Sequence, residues 1–234
     1  MCGRITIISS KEIIEMRFNV AFPFPWFPNY NASPSQMLPI ITNEKANMIT
    51  LGQWGLLPPW AKGKKEVKPM INARSEGIED KPFFRNAFKK NRCLVVADGY
   101  YEWLRADKQK IPYRICLNSS EPFAMAGLWE TITDNKGESI PSFTIITTEA
   151  NKLTSKIHHR MPVILKPEVE TQWLDNTQSA EKAKSLLIPY PDEEIKLYPV
   201  TSKVNSAAYH EANAISQVQD NMVRQKDLFG GELG

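Results

Sequence analysis

The chain opens Met1-Cys2-Gly3-Arg4, and a cysteine in second position offers chemistry that no internal cysteine has. Initiator methionine is normally trimmed before a small residue, and trimming here would place a free α-amine beside a free thiol. An α-amine has a pKa of about 8, more than two units below lysine, so a useful fraction is a neutral nucleophile near neutral pH. The thiol, near about 8.5 when unperturbed, is expected to be activated by a nearby cation such as Arg4. With an aldehyde the amine gives an imine, and the sulfur then closes a five-membered thiazolidine. A second-position cysteine is by itself an incidental feature, so the reading needs company elsewhere in the chain.

Three further segments offer it. Asn72-Ala73-Arg74-Ser75-Glu76 puts an amide, a guanidinium, a hydroxyl and a carboxylate within five positions. Arginine clamps phosphate with two hydrogen bonds, and asparagine both donates and accepts. A polar turn with Ser75 capping a helix explains the same residues equally well. In Asp98-Gly99-Tyr100-Tyr101-Glu102-Trp103, strand alternation puts Tyr100, Glu102 and Leu104 on one face and Tyr101 and Trp103 on the other. A carboxyl among aromatics is costly to ionise and suits proton transfer, although a solvated Glu102 at a strand end is the simpler alternative. His158-His159-Arg160-Met161-Pro162 holds two of the three histidines. Neighbouring histidines on a strand or turn are expected to face apart, which leaves one of them for acid–base work. No metal is expected, because His210 has no ligand-like partner at standard spacing and no cysteine pair accompanies it.

These segments must be positioned by a fold built mainly of strands. Short apolar or alternating runs recur at Arg4–Ile8, Met37–Thr42, Asn47–Trp54, Cys93–Ala97, Tyr100–Leu104, Ile111–Leu117, Phe123–Trp129 and Ser142–Thr147. Helical signals cover Ser10–Phe18, Pro82–Asn91, Ala150–Ile157, Pro167–Leu174 and Ser179–Leu187. The mixed order predicts an α+β chain on a bent, largely antiparallel sheet or open barrel with short peripheral helices. With 234 residues and 42% hydrophobic content, residues 1–234 are read as one domain, its core ending near 218 and a loose tail running from 219 to 234.

Charge is unevenly placed. The chain nets only +3, yet Trp60 to Arg92 holds ten lysines and arginines against four acidic residues, interleaved with Trp60, Phe83 and Phe84. Such a stretch is either a solvated face or a groove that tracks phosphates and stacks bases. Three cysteines make neither a disulfide framework nor a zinc site, so a reducing, cytoplasmic compartment is expected. The longest uncharged stretch, Phe18 to Asn43, is broken by five prolines, which excludes it as a membrane span or secretion signal.

Taken in order, these segments resemble the SRAP family, the SOS-response-associated peptidase domain whose members shield abasic sites by crosslinking to them. The likeness extends over Met1–Arg4, Tyr30–Gln36, Trp54–Trp60, Asn72–Glu76, Arg92–Trp103, His158 with Arg160-Met161-Pro162, and Tyr198-Pro199-Val200. Ser33 and Val96 depart from the family's usual residues, at positions with no proposed chemistry. The resemblance implies that Cys2 is the nucleophile, that Asn72 orients the sugar or the amine, and that Glu102 and His158 move protons. It further implies that Arg4, Arg74, Arg85 and Arg160 hold phosphates, with Ser75 beside them, and that Trp60 packs on a base or wedges into the strand. Single-stranded DNA containing abasic sites is then the partner, met at the nucleoid by a monomer with no cofactor and no membrane. The rival is an N-terminal-nucleophile hydrolase, either a peptidase or a glutamine amidotransferase, since that class also opens Met-Cys-Gly. A lyase activity that nicks the strand is a variant of the first reading.

Overall fold

The structure, a computed structural model, describes residues 2–61, 64, 66–106, 109–133 and 137–218. The expected tail from 219 to 234 lies outside them. In chain order the elements are β1 (Ile5–Ile7), α1 (Lys11–Phe18), β2 (Asn29–Ala32), β3 (Met37–Thr42), β4 (Thr50–Trp54), β5 (Asn72–Arg74), α2 (Arg85–Lys90) and β6 (Arg92–Ala97). There follow β7 (Gly99–Ala106), β8 (Gln109–Leu117), β9 (Phe123–Thr133), β10 (Ser139–Glu149), β11 (Arg160–Pro162), β12 (Ile164–Leu165), α3 (Pro167–Leu174), α4 (Ala180–Ser185) and β13 (Ile195–Pro199).

The strands form two sheets. In the larger, β10, β4, β3, β6 and β9 pair in sequence and β9 pairs back onto β10, so five strands close into a barrel. Closure leaves no free edge around the ring. The pairing is largely antiparallel, as expected, with two parallel contacts where β4 and β5 lie against β10. The smaller sheet runs β13-β8-β7-β1-β2, antiparallel throughout. Burial explains the runs: β6 is buried at every position, as is β9 from Phe123 to Glu130, so both read as continuous apolar stretches instead of alternating ones. One hydrophobic core contains Ile40, Val95 and Phe143 of the barrel together with Ile5, Tyr100 and Ile115 of the smaller sheet.

The helices are accessory. Ser10 caps α1 by accepting from Ile13 N–H, and Ser179 does the same for α4 from Lys182 N–H. The Ala150–Ile157 signal yields only a 3-10 turn at Thr154–Lys156, and Pro82–Asn91 shortens to α2, whose first turn has no side-chain cap. Arg92 ties helices to the barrel. Buried at the start of β6, it donates to the Phe88 carbonyl at 2.9 Å, the Trp173 carbonyl at 2.6 Å and the Asp175 carbonyl, the carbonyl ends of α2 and α3. Among the described residues no helix is long and apolar enough to cross a membrane.

Candidate functional site

The arm that carries Cys2 is fixed by one buried carboxylate. Asp98 Oδ1 accepts from Thr6 Oγ1 at 2.7 Å, and Asp98 Oδ2 accepts from the Ile8 and Ser9 amides at 2.5 and 2.9 Å. Arg114 Nη2 completes the charge at 3.3 Å and Arg114 Nη1 donates to Tyr198 Oη at 2.8 Å. Gly99 is required beside this cluster, because a Cβ there would sit 2.8 Å from Thr6 Oγ1 and 2.9 Å from Arg114. The result is a rigid β1–β7 pairing, with Tyr101 N–H on the Arg4 carbonyl at 2.9 Å.

Cys2 therefore sits between the sheets, its own strand on β7 and its carbonyl on β5. Asn72 Nδ2 donates to that carbonyl at 2.7 Å, and Asn72 Oδ1 is buried with no hydrogen-bond partner among the described residues. Asn72 is held in turn by its pairing with Ile145 of β10. The segment Asn72–Arg74 is thus a short strand, and Ser75 opens a turn, donating its amide to the Thr147 carbonyl at 2.9 Å and accepting from Ile78 N–H. No helix begins there, which removes the capping alternative.

Glu102 and His158 line one open cleft of about 470 Å³, together with Trp103, Arg105, Lys110 and Asn205. Glu102 is buried and His158 half-buried. Trp103 Nε1 donates to Asn205 Oδ1 at 2.6 Å. The expectation that His158 and His159 face apart is overturned: their rings stack at 4.4 Å and 24°. The reason is local, since His158 lies in the irregular turn before β11, where strand alternation does not apply.

The cations divide into two kinds. Arg74 and Arg85 are exposed, and among the described residues no hydrogen bond or ion pair occupies either side chain. Arg4 and Arg160 are engaged. Arg4 Nη1 donates to Asn31 Oδ1 at 2.7 Å and to the Val204 carbonyl at 2.9 Å, with the guanidinium 5.9 Å from the Trp103 ring centre. Arg160 grips both oxygens of Glu76 at 2.6 and 2.9 Å and reaches the Thr147 carbonyl at 2.6 Å. Trp60 is 47% exposed, edge-on to Phe83 at 5.8 Å. Among the described residues no group of three His, Cys, Asp or Glu is placed to hold a metal.

The family model described as SOS response associated peptidase (SRAP) matches residues 1–207. The chain belongs to the SRAP family. It is 43% identical to the abasic site processing protein YoaM of Bacillus subtilis over 92% of this chain and 97% of that one. With the abasic site processing protein HMCES of Xenopus tropicalis it shares 32% identity, covering 77% of this chain and 63% of that one. A crystal structure of a protein from Bacteroides thetaiotaomicron superposes with a TM-score of 0.84 at 28% identity, covering 93% of this chain and all of the other.

The environments of Glu102 and His158 shift their ordinary pKa values toward one another. Burial raises the Glu102 carboxyl above the usual carboxylate range, and burial lowers His158 below the usual histidine value. His158 Nδ1 accepts from Arg160 N–H at 3.0 Å, so a neutral ring carries its proton on Nε2. The expected activation of the thiol by Arg4 is not found. Burial pushes the Cys2 thiol up, the Glu102 charge pushes it further, and the Arg4 guanidinium is committed to Asn31 and Val204. Sequence reading named Cys2, Asn72, Glu102 and His158 but gave no role to Trp103, Arg105, Lys110, Asn31 or Asn205. Asn205 lies 102 positions beyond Trp103, with no local pattern to mark it.

Proposed function

We propose that this protein captures abasic sites in single-stranded DNA as a thiazolidine on Cys2. The observation that carries the reading is the Asn72 Nδ2 hydrogen bond to the Cys2 carbonyl, which holds the N-terminal cysteine within the field of the buried Glu102, itself part of a cleft lined by Arg105 and Lys110. An abasic sugar has no base to unstack, so presenting it to a cleft costs little.

The groups present support each step. The cyclic sugar opens as His158 Nε2 gives a proton to the ring oxygen and Glu102 takes one from the anomeric hydroxyl. The Cys2 amine, oriented by the free Asn72 Oδ1, adds to the aldehyde carbon, Glu102 returns its proton as water leaves, and the iminium proton passes back to His158, giving an imine. The thiol then adds to that carbon and its proton passes to the nitrogen. The net reaction is aldehyde plus aminothiol giving thiazolidine plus water. Because the thiol is held protonated, amine attack precedes sulfur attack. Closing the ring removes the imine through which strand elimination, the lyase reaction, would proceed. Acyl transfer by an N-terminal nucleophile, as a peptidase or glutamine amidotransferase, is the second reading.

Arg74 and Arg85 take phosphates and Trp60 offers a stacking face, while Arg4 and Arg160 position the arm and the β11 turn. The protein acts as a monomer in a reducing compartment, at the nucleoid when DNA is bound. Intact mass before and after incubation with an abasic oligonucleotide tests the proposal. The expected species lacks Met1 and gains the DNA mass less one water. An adduct that persists in Cys2→Ala, or glutamine hydrolysis by the wild-type protein, rejects it.

A further inference from the structure

The cleft that holds Glu102 and His158 has a wall that the capture chemistry leaves unused. Arg105 on β7 and Lys110 on β8 both line it, and they are direct partners across the antiparallel pair. Like charges placed opposite one another on a sheet repel, and the usual remedy is a neighbouring carboxylate. Among the described residues no hydrogen bond or ion pair engages either side chain, and both are exposed. Among the described residues the one acid lining the cleft is Glu102, which is buried. Two adjacent unneutralised cations at the mouth of a cleft form a receptor for an anion.

Their place relative to Cys2 says which anion. Cys2 lies between β5, through Asn72, and β7, through the β1 pairing. Arg74 is on β5 and Arg85 opens α2, whereas Arg105 and Lys110 belong to the β7–β8 hairpin of the other sheet. A DNA strand that presents its sugar to Cys2 leaves in two directions, and Arg74 stands on one of the sheets that flank Cys2 while Arg105 and Lys110 stand on the other. We propose that Arg105 and Lys110 form a phosphate subsite for the DNA strand on the side of the abasic sugar opposite Arg74 and Arg85. The protein then grips phosphodiesters on both flanks of an abasic nucleotide within a continuous strand. Arg105 has a second effect, since its positive charge adds to burial in keeping His158 neutral. The inference rests on the capture reading for its choice of DNA.

The test uses non-covalent affinity in the Cys2→Ala full-length chain, so that binding stays reversible. Three oligonucleotides are compared, with the abasic residue centred, at the 5′ end or at the 3′ end. Replacing both cations, Arg105→Gln with Lys110→Gln, should weaken the centred substrate and make its salt slope shallower by about 1.4, twice the roughly 0.7 expected per single-strand phosphate. The loss should vanish on one truncated substrate and persist on the other. A second variant, Lys110→Glu, offers Arg105 a partner and should weaken the same substrates. Both positions are exposed and the substitutions relieve the cross-strand repulsion, so thermal stability should be unchanged or slightly raised. Equal losses on all three substrates, or none, overturn the subsite. Failure of the wild-type chain to form any adduct would reject the capture reading instead, while the affinity comparison would still report on the subsite.

Discussion

Glu102 carries a charge in a place that disfavours charge. Because burial raises its pKa in the folded state, the unfolded chain releases this proton more readily than the folded one. The contribution of the group to stability is complete below its unfolded pKa and is lost as pH rises through the folded value. Glu102→Gln keeps the shape and removes the charge, so it should raise Tm at about pH 8 and lose that gain near about pH 4, where both states of the wild type are protonated. Each kcal/mol recovered corresponds to about 2–4 °C in a chain of this length. The same change should slow adduct formation by about 10²- to 10⁴-fold, the usual contribution of a positioned acid–base group. A Tm that falls at pH 8 would mean that the carboxylate is fully compensated in the fold. Glu102 and its three chemical companions were legible because each sits in a run of unusual types. Arg105 and Lys110 were not, since two cations near a hairpin look like ordinary solvated charge until the cleft shows them facing Glu102 and His158.

At the scale of elements, β1 is a three-residue strand that must hold the proposed nucleophile, Cys2, still. Its fixation comes from Asp98, Arg114 and Thr6, packed so closely that only glycine fits at position 99. Gly99→Ala should therefore destabilise by about 1–3 kcal/mol as the added methyl forces the cluster apart, measured as a lower urea midpoint with an unchanged slope. Adduct formation should fall even at temperatures where the variant stays folded, because Cys2 shifts relative to Asn72. Full activity in a stable variant would show that the arm tolerates movement. The long strands were readable from hydrophobicity alone: β3, β6, β8, β9 and β10 fall on apolar runs. β5 was ambiguous, since Asn72–Arg74 is polar and becomes a strand only through parallel pairing with β10, more than seventy positions away. β2 and β13 were missed for a related reason. Asn29–Ala32 and Ile195–Pro199 mix polar, aromatic and proline residues, and their order comes from β1 and β8.

At the scale of the molecule, a net charge of +3 hides a division between free and occupied cations. Arg92 contributes to the apparent basic stretch but is buried on helix carbonyls, and Arg160 is paired with Glu76, so neither adds a free cation to the surface. Among the described residues, Arg74, Arg85, Arg105 and Lys110 are exposed cations that no hydrogen bond or ion pair occupies. If these four meet phosphates, non-covalent binding should follow salt with a slope of about −2.8, which is roughly a fiftyfold loss between about 50 and 200 mM. Intact and abasic strands should share that slope, because backbone contacts do not read the missing base. The covalent product should behave differently: once C–N and C–S bonds hold the sugar, added salt releases counterions from nothing that limits dissociation. Fluorescence anisotropy across a salt series reads the first state, and a denaturing gel of adduct formed at low salt and then raised to high salt reads the second. Cys2→Ala should keep the steep slope and lose the salt-resistant band. A slope near zero would remove the phosphate contacts, and a preformed band that disappears at high salt would show that the trapped species is not covalent.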